Sequence, residues 1–340
     1  MGKDFIKTIS VRGFKGIKAI EDLELRRMNV LIGANGAGKS NFLRVFELPR
    51  VLLEDRLDDY VAGEGGAKRL LHFGSTVTSR IEVEIRFTGD VFASMGLVYS
   101  TGDRLIPSTS YSIGSLRHTG DHLLRLLRVF HFADAGQTSR MRKTAAINDN
   151  WELQADGANL VAVLYLLQER YPASLRQIRA AVRQVAPFFD DFILQPLALN
   201  PKTILLGWRR RGSDEYLHAD SFSDGTLRFI ALATLLLLPE PLQPPVILLD
   251  EPELGLHPSA ITLLAALLSQ ATVDAQVIVS TQSPQLLDHF EPEDVLVLGR
   301  VAGNTEVTRL DAARLAVWLE EYSLGQLWEK NEFEGLPVPE

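Results

Sequence analysis

Two patterns of apolar residues recur along the chain and predict two kinds of β-strand. Residues 5–13, 20–26 and 80–87 alternate apolar and polar positions, which is typical of strands with one buried face. Three other runs are apolar almost throughout and precede a polar turn and a helical pattern: 28-MNVLI-32, 246-VILLD-250 and 276-QVIVS-280. Such runs predict strands of a parallel sheet that is covered on both faces. The sequence therefore predicts an α/β fold with a mostly parallel sheet and an N-terminal antiparallel β group.

A helical region is predicted between these strands. Residues 158–170 are apolar nearly all round, and in 172–186 apolar residues recur at helical spacing until Pro187 stops the pattern. Glycine, serine and proline predict loops in three segments: 61–68, 101–120 and 239–245. The central part of the chain is thus predicted to form a helical lobe.

Composition narrows the chemistry. Hydrophobic residues make up 46% of the 340 residues and charged residues 23%, as in ordinary globular proteins. The absence of cysteine excludes disulfides, thiolate metal sites and cysteine nucleophiles. The N-terminus has no apolar signal region, and the apolar run 229–238 is far shorter than the ~20 residues of a membrane span. These features predict a cytoplasmic protein with no membrane partner.

The net charge of −8 excludes a surface that is basic everywhere, but it allows local basic patches. Two segments, 139-SRMRK-143 and 208-WRRRG-212, are candidate nucleic-acid contacts. On charge alone, both segments are more simply explained as solvated surface.

Residues 33–40, GANGAGKS, match the phosphate-binding pattern G-x-x-x-x-G-K-[ST], between a predicted strand and a predicted helix. Glycines allow the backbone to wrap phosphates, Lys39 supplies a full positive charge, and the Ser40 hydroxyl can bind Mg²⁺. A glycine-rich turn that binds nothing is the alternative, and the flanking elements disfavour it. The predicted nucleotide-binding residues are Gly33, Asn35, Gly36, Ala37, Gly38, Lys39, Ser40 and Asn41.

Two acids follow the apolar strand at 246–250. A carboxylate at a buried strand end is costly unless it meets a cation or hydrogen bonds. We therefore expect Asp250, with Ser40, to hold Mg²⁺, and Glu251 to orient and deprotonate an attacking water. On its own this pattern is more often a helix cap, and the phosphate loop at 33–40 is what favours a catalytic role.

The stretch 221-SFSDGTLRF-229 predicts the start of a helix whose free N–H groups could hold an anion. The order GANGAGKS, SFSDGT, VILLDEPELGLHP and 280-STQS-283 resembles the heads of ABC-type ATPases: Walker A, signature, Walker B with D-loop, and switch. The chain is similar to the stand-alone RecF-like predicted ATPases of the RecF/SMC branch. Segments 6–25, 147–172 and 318–331 also resemble that group, so the resemblance covers nearly the whole chain.

This resemblance implies a single ABC-type ATPase head over residues 1–340. Its nucleotide-binding core would comprise 1–115 plus 240–340, and a helical lobe at 116–239 would carry the signature. It also implies a homodimer that forms head-to-tail around ATP. In that dimer, Ser223 and the N–H of Gly225 would face the γ-phosphate held by the partner.

The sequence departs from the pattern of many heads at two positions. Asp224 stands where many heads have glycine, which places an acid near a phosphate. Gln282 occupies the switch position, where many heads use histidine. Glutamine can hydrogen-bond a phosphate or water, but it cannot carry a proton at neutral pH. Because of its switch position, Gln282 is the second predicted catalytic residue after Glu251. His257, in the D-loop of the resemblance, is more simply explained as a helix-start residue.

Two functions follow from the resemblance. The first is a Mg²⁺-dependent ATPase that dimerises around ATP and acts on DNA in repair or recombination, as RecF does. The alternative is a regulatory ATPase that controls an effector protein, a nuclease or toxin, in a phage-defence or toxin–antitoxin system. A nucleotide-binding scaffold without turnover is disfavoured because Lys39, Asp250 and Glu251 are all present.

Overall fold

The structure is a computed structural model that describes residues 5–89, 91–108, 112–113 and 123–333. The chain divides into two compact units. The first unit comprises Met1–Val129, Pro244–Asp250 and Asp274–Glu340, and the second comprises Phe130–Gln243 and Glu251–Val273. Each unit is described by itself below.

The first unit contains two sheets. Its strands are β1 (Ile6–Phe14), β2 (Ile17–Glu24), β3 (Met28–Ile32), β4 (Arg80–Phe87), β5 (Phe92–Ser100), β6 (Arg104–Pro107), β7 (Ser112–Ile113), β8 (Val129–Phe130, whose second residue belongs to the second unit), β15 (Val246–Asp250), β16 (Gln276–Ser280), β17 (Val295–Val301) and β18 (Asn304–Arg309). Its helices are α1 (Lys39–Val45), α2 (Leu48–Leu53), α3 (Leu57–Gly63), α4 (Ala67–Leu70), α9 (Pro284–Leu287), α10 (Ala312–Leu319) and α11 (Leu324–Glu329).

The antiparallel sheet has the order β2-β1-β4-β5-β6, with β7 paired to β5. Its alternating pattern buries one face: Ile9 of β1 lies opposite Ile85 of β4 and Val11 opposite Val83, and all four side chains are buried. This face belongs to one hydrophobic core with Phe42 of α1. The predicted antiparallel group is therefore confirmed, although β2 begins three residues before the predicted start, because a two-residue turn joins it to β1.

The second sheet has the order β18-β17-β3-β16-β15-β8. β3 pairs in parallel with β16 and with β17, β16 pairs in parallel with β15, and β17 and β18 form an antiparallel hairpin. Every residue of β3 and β16 is buried, which explains their unbroken apolar sequences. The predicted mostly parallel sheet is confirmed, and the carboxyl ends of β3, β15 and β16 lie at the same edge.

Two of the three predicted loops contain regular structure. Helix α3 continues to Gly63 and α4 begins at Ala67, so only residues 64–66 of the predicted loop 61–68 lie between helices. Val61 is buried, and this tertiary packing outweighs the local glycine signal. Within the predicted loop 101–120, β6 and β7 extend the antiparallel sheet, whereas residues 109–111 and 114–120 lie outside the described residues. The predicted loop 239–245 is confirmed.

The second unit combines helices with two small antiparallel sheets. Its helices are α5 (Leu160–Arg170), α6 (Pro172–Val185), α7 (Asp224–Leu236) and α8 (Pro258–Ala271). Its strands are β9 (Ala145–Ala146), β10 (Phe189–Ile193), β11 (Pro196–Leu197), β12 (Asn200–Ile204), β13 (Gly207–Arg210) and β14 (Tyr216–His218), in the sheets β10-β13-β14 and β11-β12-β9. Helix α7 is buried from Thr226 to Leu236 and packs against α5, α6 and α8.

The second unit includes residues 251–273. These residues follow β15 in the sequence but group with the second unit, since α8 packs against α6 and α7. Among the described residues, no helix combines the length and the apolar character that crossing a bilayer requires.

Candidate functional site

The predicted phosphate loop follows β3 and leads into α1. Lys39 is only 5% exposed, and its ammonium donates to the carbonyl oxygens of Gly33 at 2.6 Å and of Ala34 at 3.3 Å. A buried ammonium needs such acceptors. The loop's own carbonyls thus keep a full positive charge inside the turn, where a bound phosphate would meet it.

Gly38 shows why the loop requires glycine. Its backbone is left-handed, with φ of 112°. A Cβ at this position would lie 2.6 Å from the hydroxyl oxygen of Thr305, which is too close for any side chain. The Thr305 side chain comes from β18 and lies against the phosphate loop at Gly38.

Thr305 also fixes one peptide of the loop. It is 1% exposed, and its hydroxyl donates to the carbonyl of Ala37 at 3.0 Å. In a trans peptide the C=O and the following N–H point in opposite directions. Because Thr305 holds the Ala37 carbonyl, the N–H of Gly38 points away from β18. Sequence analysis missed Thr305, because the hydrogen bond joins residues 268 positions apart.

The Walker A serine meets the predicted Walker B acid. The Ser40 hydroxyl donates to Asp250 Oδ1 at 3.2 Å, and the buried Ser280 hydroxyl donates to the same oxygen. Asp250 and Ser280 face each other in the register of β15 and β16. The start of α1 and the ends of β15 and β16 therefore bring Ser40, Asp250 and Ser280 together. Ser280 begins the predicted switch motif, but the sequence pattern alone predicts no role for it.

Ser40 and Asp250 fit the predicted Mg²⁺ site. Mg²⁺ binds oxygen ligands at about 2.1 Å in octahedral geometry, so two neighbouring ligands lie roughly 3 Å apart. The observed separation of 3.2 Å between Ser40 Oγ and Asp250 Oδ1 is close to that value. In the described parts of the chain, no cluster of three or more His, Cys, Asp or Glu could hold a metal. A Mg²⁺ ion at Ser40 and Asp250 would therefore need phosphate oxygens and water as further ligands.

Glu251 and Gln282 continue from the ends of two adjacent strands. Glu251 directly follows Asp250 and has a left-handed backbone with φ of 47°. For a non-glycine residue this conformation costs about 1–3 kcal/mol, and such strain is often found at functional sites. Gln282 is exposed, two residues beyond Ser280, and Ser283 then caps α9 by accepting from the N–H of Leu286 at 3.1 Å.

The signature stretch begins α7, as predicted. Ser223 is exposed and caps the helix: its Oγ accepts from the N–H of Thr226 at 3.2 Å and lies 2.8 Å from the Thr226 hydroxyl. A Cβ on Gly225 would lie 2.4 Å from the carbonyl oxygen of Gly255, so this position also needs glycine. Both residues have local structural roles, and their predicted contact with a partner's phosphate stays a prediction.

Asp224, the unusual acid of the signature, has a partner within the second unit. Its carboxylate accepts from Arg142 Nη2 at 2.9 Å. The Arg142 side chain is fully buried. The structure therefore corrects the proposed basic patch at 139–143, because Arg142 cannot contact a nucleic acid. Arg140 is exposed and pairs with Asp156 at 2.9 Å, and Lys143 is exposed.

The second basic segment, 208–212, is also partly used within the fold. Trp208 is buried and stacks on Phe222 with ring centroids 4.5 Å apart. Arg209 pairs with Asp190 at 2.6 Å, whereas Arg210 and Arg211 are exposed. The helix-start interpretation of His257 is confirmed, because it caps α8 by accepting from the N–H of Ser259.

A cationic cavity of about 450 Å³ adjoins α1 in the first unit. Its lining includes Lys15, Arg69, Arg300, Asn41 and the ring of Phe73, which is 60% exposed. Asn41 directly follows Ser40 of the phosphate loop. The cavity can therefore take an anionic or aromatic group attached to whatever the loop holds. Its lining comes from five separate segments of the sequence, so no local sequence pattern predicts it.

One carboxylate balances part of this positive charge. Glu64, which also lines the cavity, pairs with Lys15 at 2.7 Å and with Arg44 at 2.8 Å. Burial alone would raise the pKa of the Glu64 carboxyl, but hydrogen bonds and attraction from these two cations outweigh it. The pKa of Glu64 therefore lies below its ordinary value, and the carboxylate is charged at neutral pH.

Solved structures with a similar fold are heads of SMC proteins. A crystal structure of an Smc head bound to the C-winged helix domain of ScpA has a TM-score of 0.67 and 16% identity, covering 91% of this chain and 99% of that one. An Smc head with an extended coiled coil, bound to the C-terminal domain of ScpA from Pyrococcus furiosus, has a TM-score of 0.64 and 16% identity over 94% and 99%. The SMC head domain from Thermotoga maritima has a TM-score of 0.52 and 16% identity over 90% and 99%. At these identities the likeness shows the fold alone, which is that of an ABC-type head.

Comparison with curated protein sequences gives no match. Residues 28–288, well over half of the chain, match a family described as "AAA domain, putative AbiEii toxin, Type IV TA system". The match includes the phosphate loop, the signature stretch and the strand that ends in Asp250. The chain therefore belongs to this AAA-domain family and is a P-loop ATPase.

Proposed function

We propose that the protein is a Mg²⁺-dependent ATP hydrolase that encloses ATP in a head-to-tail homodimer. The observation that carries this proposal is the contact between Ser40 and Asp250, with the buried Lys39 ammonium in the same loop. A phosphate-binding loop and a carboxylate beside its serine are the parts that phosphoryl transfer requires.

Each residue has a role that follows from its chemistry. Lys39 attracts the β- and γ-phosphates, and Mg²⁺ bound by Ser40 and Asp250 would neutralise developing charge. Glu251 takes a proton as the attacking water forms a bond to the γ-phosphorus and the bond to the bridging oxygen breaks. Gln282 donates a hydrogen bond to that water or to the γ-phosphate.

The cationic cavity beside α1 supports a nucleoside triphosphate as the ligand. Phe73 offers a ring face to a base, and Lys15, Arg69 and Arg300 offer donors to a sugar or a phosphate. We propose that the base and sugar bind there while the phosphates occupy the loop at 33–40. In the dimer, Ser223 and the N–H of Gly225 would approach the γ-phosphate held by the partner.

For the biological role, we propose control of an effector protein in a toxin–antitoxin system, since the description of the matching family names a putative AbiEii toxin and a type IV toxin–antitoxin system. The DNA-repair role is the second candidate. It rests on the exposed Arg210 and Arg211, and it loses support because Arg142 is buried.

The Glu251→Gln variant tests the proposed reaction. It keeps the size of the side chain but removes the base, so ATP should bind normally while hydrolysis falls by about 10²–10⁴-fold. The bound ATP should shift the protein to a dimer in size-exclusion chromatography with light scattering. Glu240→Gln, at an exposed glutamate, is the matched control. A monomer that binds ATP at all concentrations would contradict the dimer, and unchanged turnover would contradict the role of Glu251.

The same trapped dimer separates the two biological roles. If the protein acts on DNA, the ATP-bound Glu251→Gln dimer should bind duplex DNA at low salt, with affinity falling steeply as salt rises. Fluorescence anisotropy with a labelled duplex measures this. No binding at low salt removes the DNA role and leaves the effector role, whereas tight and salt-dependent binding supports the DNA role.

Thr305→Val should weaken nucleotide binding, although Thr305 is not one of the predicted nucleotide-binding residues. The substitution keeps the shape but removes the hydroxyl that holds the buried Ala37 carbonyl. One lost hydrogen bond is worth about 1 kcal/mol, so the Kd for Mg-ATP in calorimetry should rise about fivefold. Thr308→Val, at an exposed position of the same strand, should leave the Kd unchanged. Equal Kd values for both variants would show that Thr305 does not shape the loop.

A further inference from the structure

Arg142 is the most completely bonded cation in the described part of the second unit. Its Nε donates to the carbonyls of Ala135 and Gly136, both at 3.0 Å. Its two Nη atoms donate to the carbonyls of Ala219 and Phe222 and to the Asp224 carboxylate. The side chain is fully buried. A buried guanidinium with this many acceptors is held in a single orientation.

A second buried arginine holds the same segment of backbone. Arg228, one turn into α7, donates to the carbonyls of Phe132 and Ala133 at 2.9 and 2.7 Å. The Asp134 carbonyl accepts from the Ser139 hydroxyl at 2.6 Å. Every carbonyl from Phe132 to Gly136 therefore accepts a side-chain hydrogen bond, and two arginines tie this segment to the start of α7.

The acceptors of Arg142 lie on both sides of the signature serine. The Phe222 carbonyl belongs to the peptide that joins Phe222 to Ser223, and Asp224 follows Ser223 directly. Fixing that carbonyl fixes the plane of the peptide that enters Ser223. Asp224 supplies the only carboxylate among the hydrogen-bond partners described for Arg142, so an acid at this position balances a buried positive charge.

We infer that Arg142 is a positioning residue that presets the signature turn at 222–225, with Asp224 as its counter-charge. The turn then has its final shape before a partner's phosphate arrives, and binding does not have to order it. The inference rests on the proposed function for the role of the turn in the dimer. It also explains the acid that departs from the glycine of many heads.

Lysine cannot replace Arg142 in this role. A lysine ammonium keeps the charge but has three donors on one nitrogen, so it cannot span two carbonyls on one side and three acceptors on the other. Arg142→Lys should therefore keep the fold of the second unit while loosening the signature turn. Arg140→Lys is the matched control, because Arg140 is 68% exposed and lies two positions away.

Hydrogen–deuterium exchange measured by mass spectrometry tests the positioning directly, without reference to hydrolysis. In Arg142→Lys, peptides that cover residues 219–228 should exchange at least about fivefold faster, as expected for the loss of one or more hydrogen bonds. Peptides from α5 and α6 should be unchanged. Arg140→Lys should exchange like the wild type throughout. Wild-type exchange at 219–228 in Arg142→Lys, or faster exchange throughout the second unit, would overturn the inference.

Measurements of ATP binding and turnover add a second test, because a purely structural role for Arg142 would not separate these two quantities. Arg142→Lys should bind Mg-ATP with wild-type Kd, since the phosphate loop lies in the first unit, but its turnover should fall at least tenfold. Asp224→Ala, at an exposed carboxylate, should show a smaller change of the same kind, and Asp224→Asn should recover part of it by restoring an acceptor. Equal losses of ATP binding and turnover would contradict the proposal that Arg142 positions the signature turn. If the wild type itself neither hydrolyses ATP nor dimerises, the proposed function fails, while the exchange experiment still decides the role of Arg142.

Discussion

Lys39→Ala should remove nearly all ATP hydrolysis. The substitution removes the full positive charge that the loop presents to the phosphates, and that charge is worth most in the transition state, where negative charge moves to the bridging oxygen. Loss of one preorganised donor typically costs 10²–10³-fold in turnover, and we expect at least ~10²-fold here. Phosphate release at saturating Mg-ATP measures the effect.

The same variant should weaken ATP binding by a smaller factor. The loop backbone is held independently, through Thr305 and the Ala37 carbonyl. The carbonyls of Gly33 and Ala34, which accept from Lys39 in the free protein, can bond to water when the ammonium is absent. The melting temperature should therefore change little.

Lys18→Ala is the matched control for this experiment. Lys18 lies in the first unit, on β2, and its side chain is exposed. Its loss removes the same charge from the protein without touching the loop. If Lys39→Ala keeps wild-type turnover while Lys18→Ala does the same, the loop at 33–40 is not a site of hydrolysis. A fall of turnover in both variants would point to net charge instead.

Strands and loops that are determined by a short stretch of sequence could be predicted. Strands β3, β15 and β16 have the predicted bounds because parallel strands buried on both faces need continuous apolar runs. The phosphate loop is recognisable because its glycines, lysine and serine must have fixed spacing. The contact between Ser40 and Asp250 also follows, since the carboxyl ends of β3 and β15, parallel strands on either side of β16, lie at one edge of the sheet.

Whether an individual charged side chain is buried or exposed could not be predicted from the sequence. In 139-SRMRK-143 the three cations look alike, yet Arg142 is buried and Arg140 is exposed. What separates them is the set of carbonyls at 135–136 and 219–222, and those positions come together only in the folded chain. Thr305 was missed for the same reason, because nothing near it in sequence marks it as a neighbour of Ala37.

The second large effect concerns whether the signature acts on another molecule. Ser223→Arg places a bulky cation at an exposed helix cap. If Ser223 only caps α7, the substitution costs about 1 kcal/mol of stability and leaves turnover nearly intact. If Ser223 faces a partner's γ-phosphate, the long side chain blocks closure of the one composite site that it enters. We expect the second result: hydrolysis lost, and ATP binding at the first unit's loop retained.

Mixing two inactive variants tests whether the signature acts in trans. In a heterodimer of Lys39→Ala with Ser223→Arg, both lesions fall in one composite site. The other site then has a wild-type Lys39 and a wild-type Ser223. Half of the dimers in an equal mixture are heterodimers with one intact site each, so about a quarter of wild-type activity should return if the two sites work independently.

A second mixture gives a result that does not require the two ATP sites of a dimer to work independently. With Glu251→Gln added to both variants, the readout is ATP-dependent heterodimer formation, followed by energy transfer between labels on the two chains. Comparison with Ser223→Ala, which removes the hydroxyl without adding bulk, separates the steric effect of the arginine from loss of the hydroxyl. If neither activity nor heterodimer returns on mixing, while both proteins keep their melting temperatures and bind ATP, the signature does not act across a dimer. Recovery of either one in the mixture, and in neither protein alone, requires that Ser223 of one chain serves the Lys39 of another.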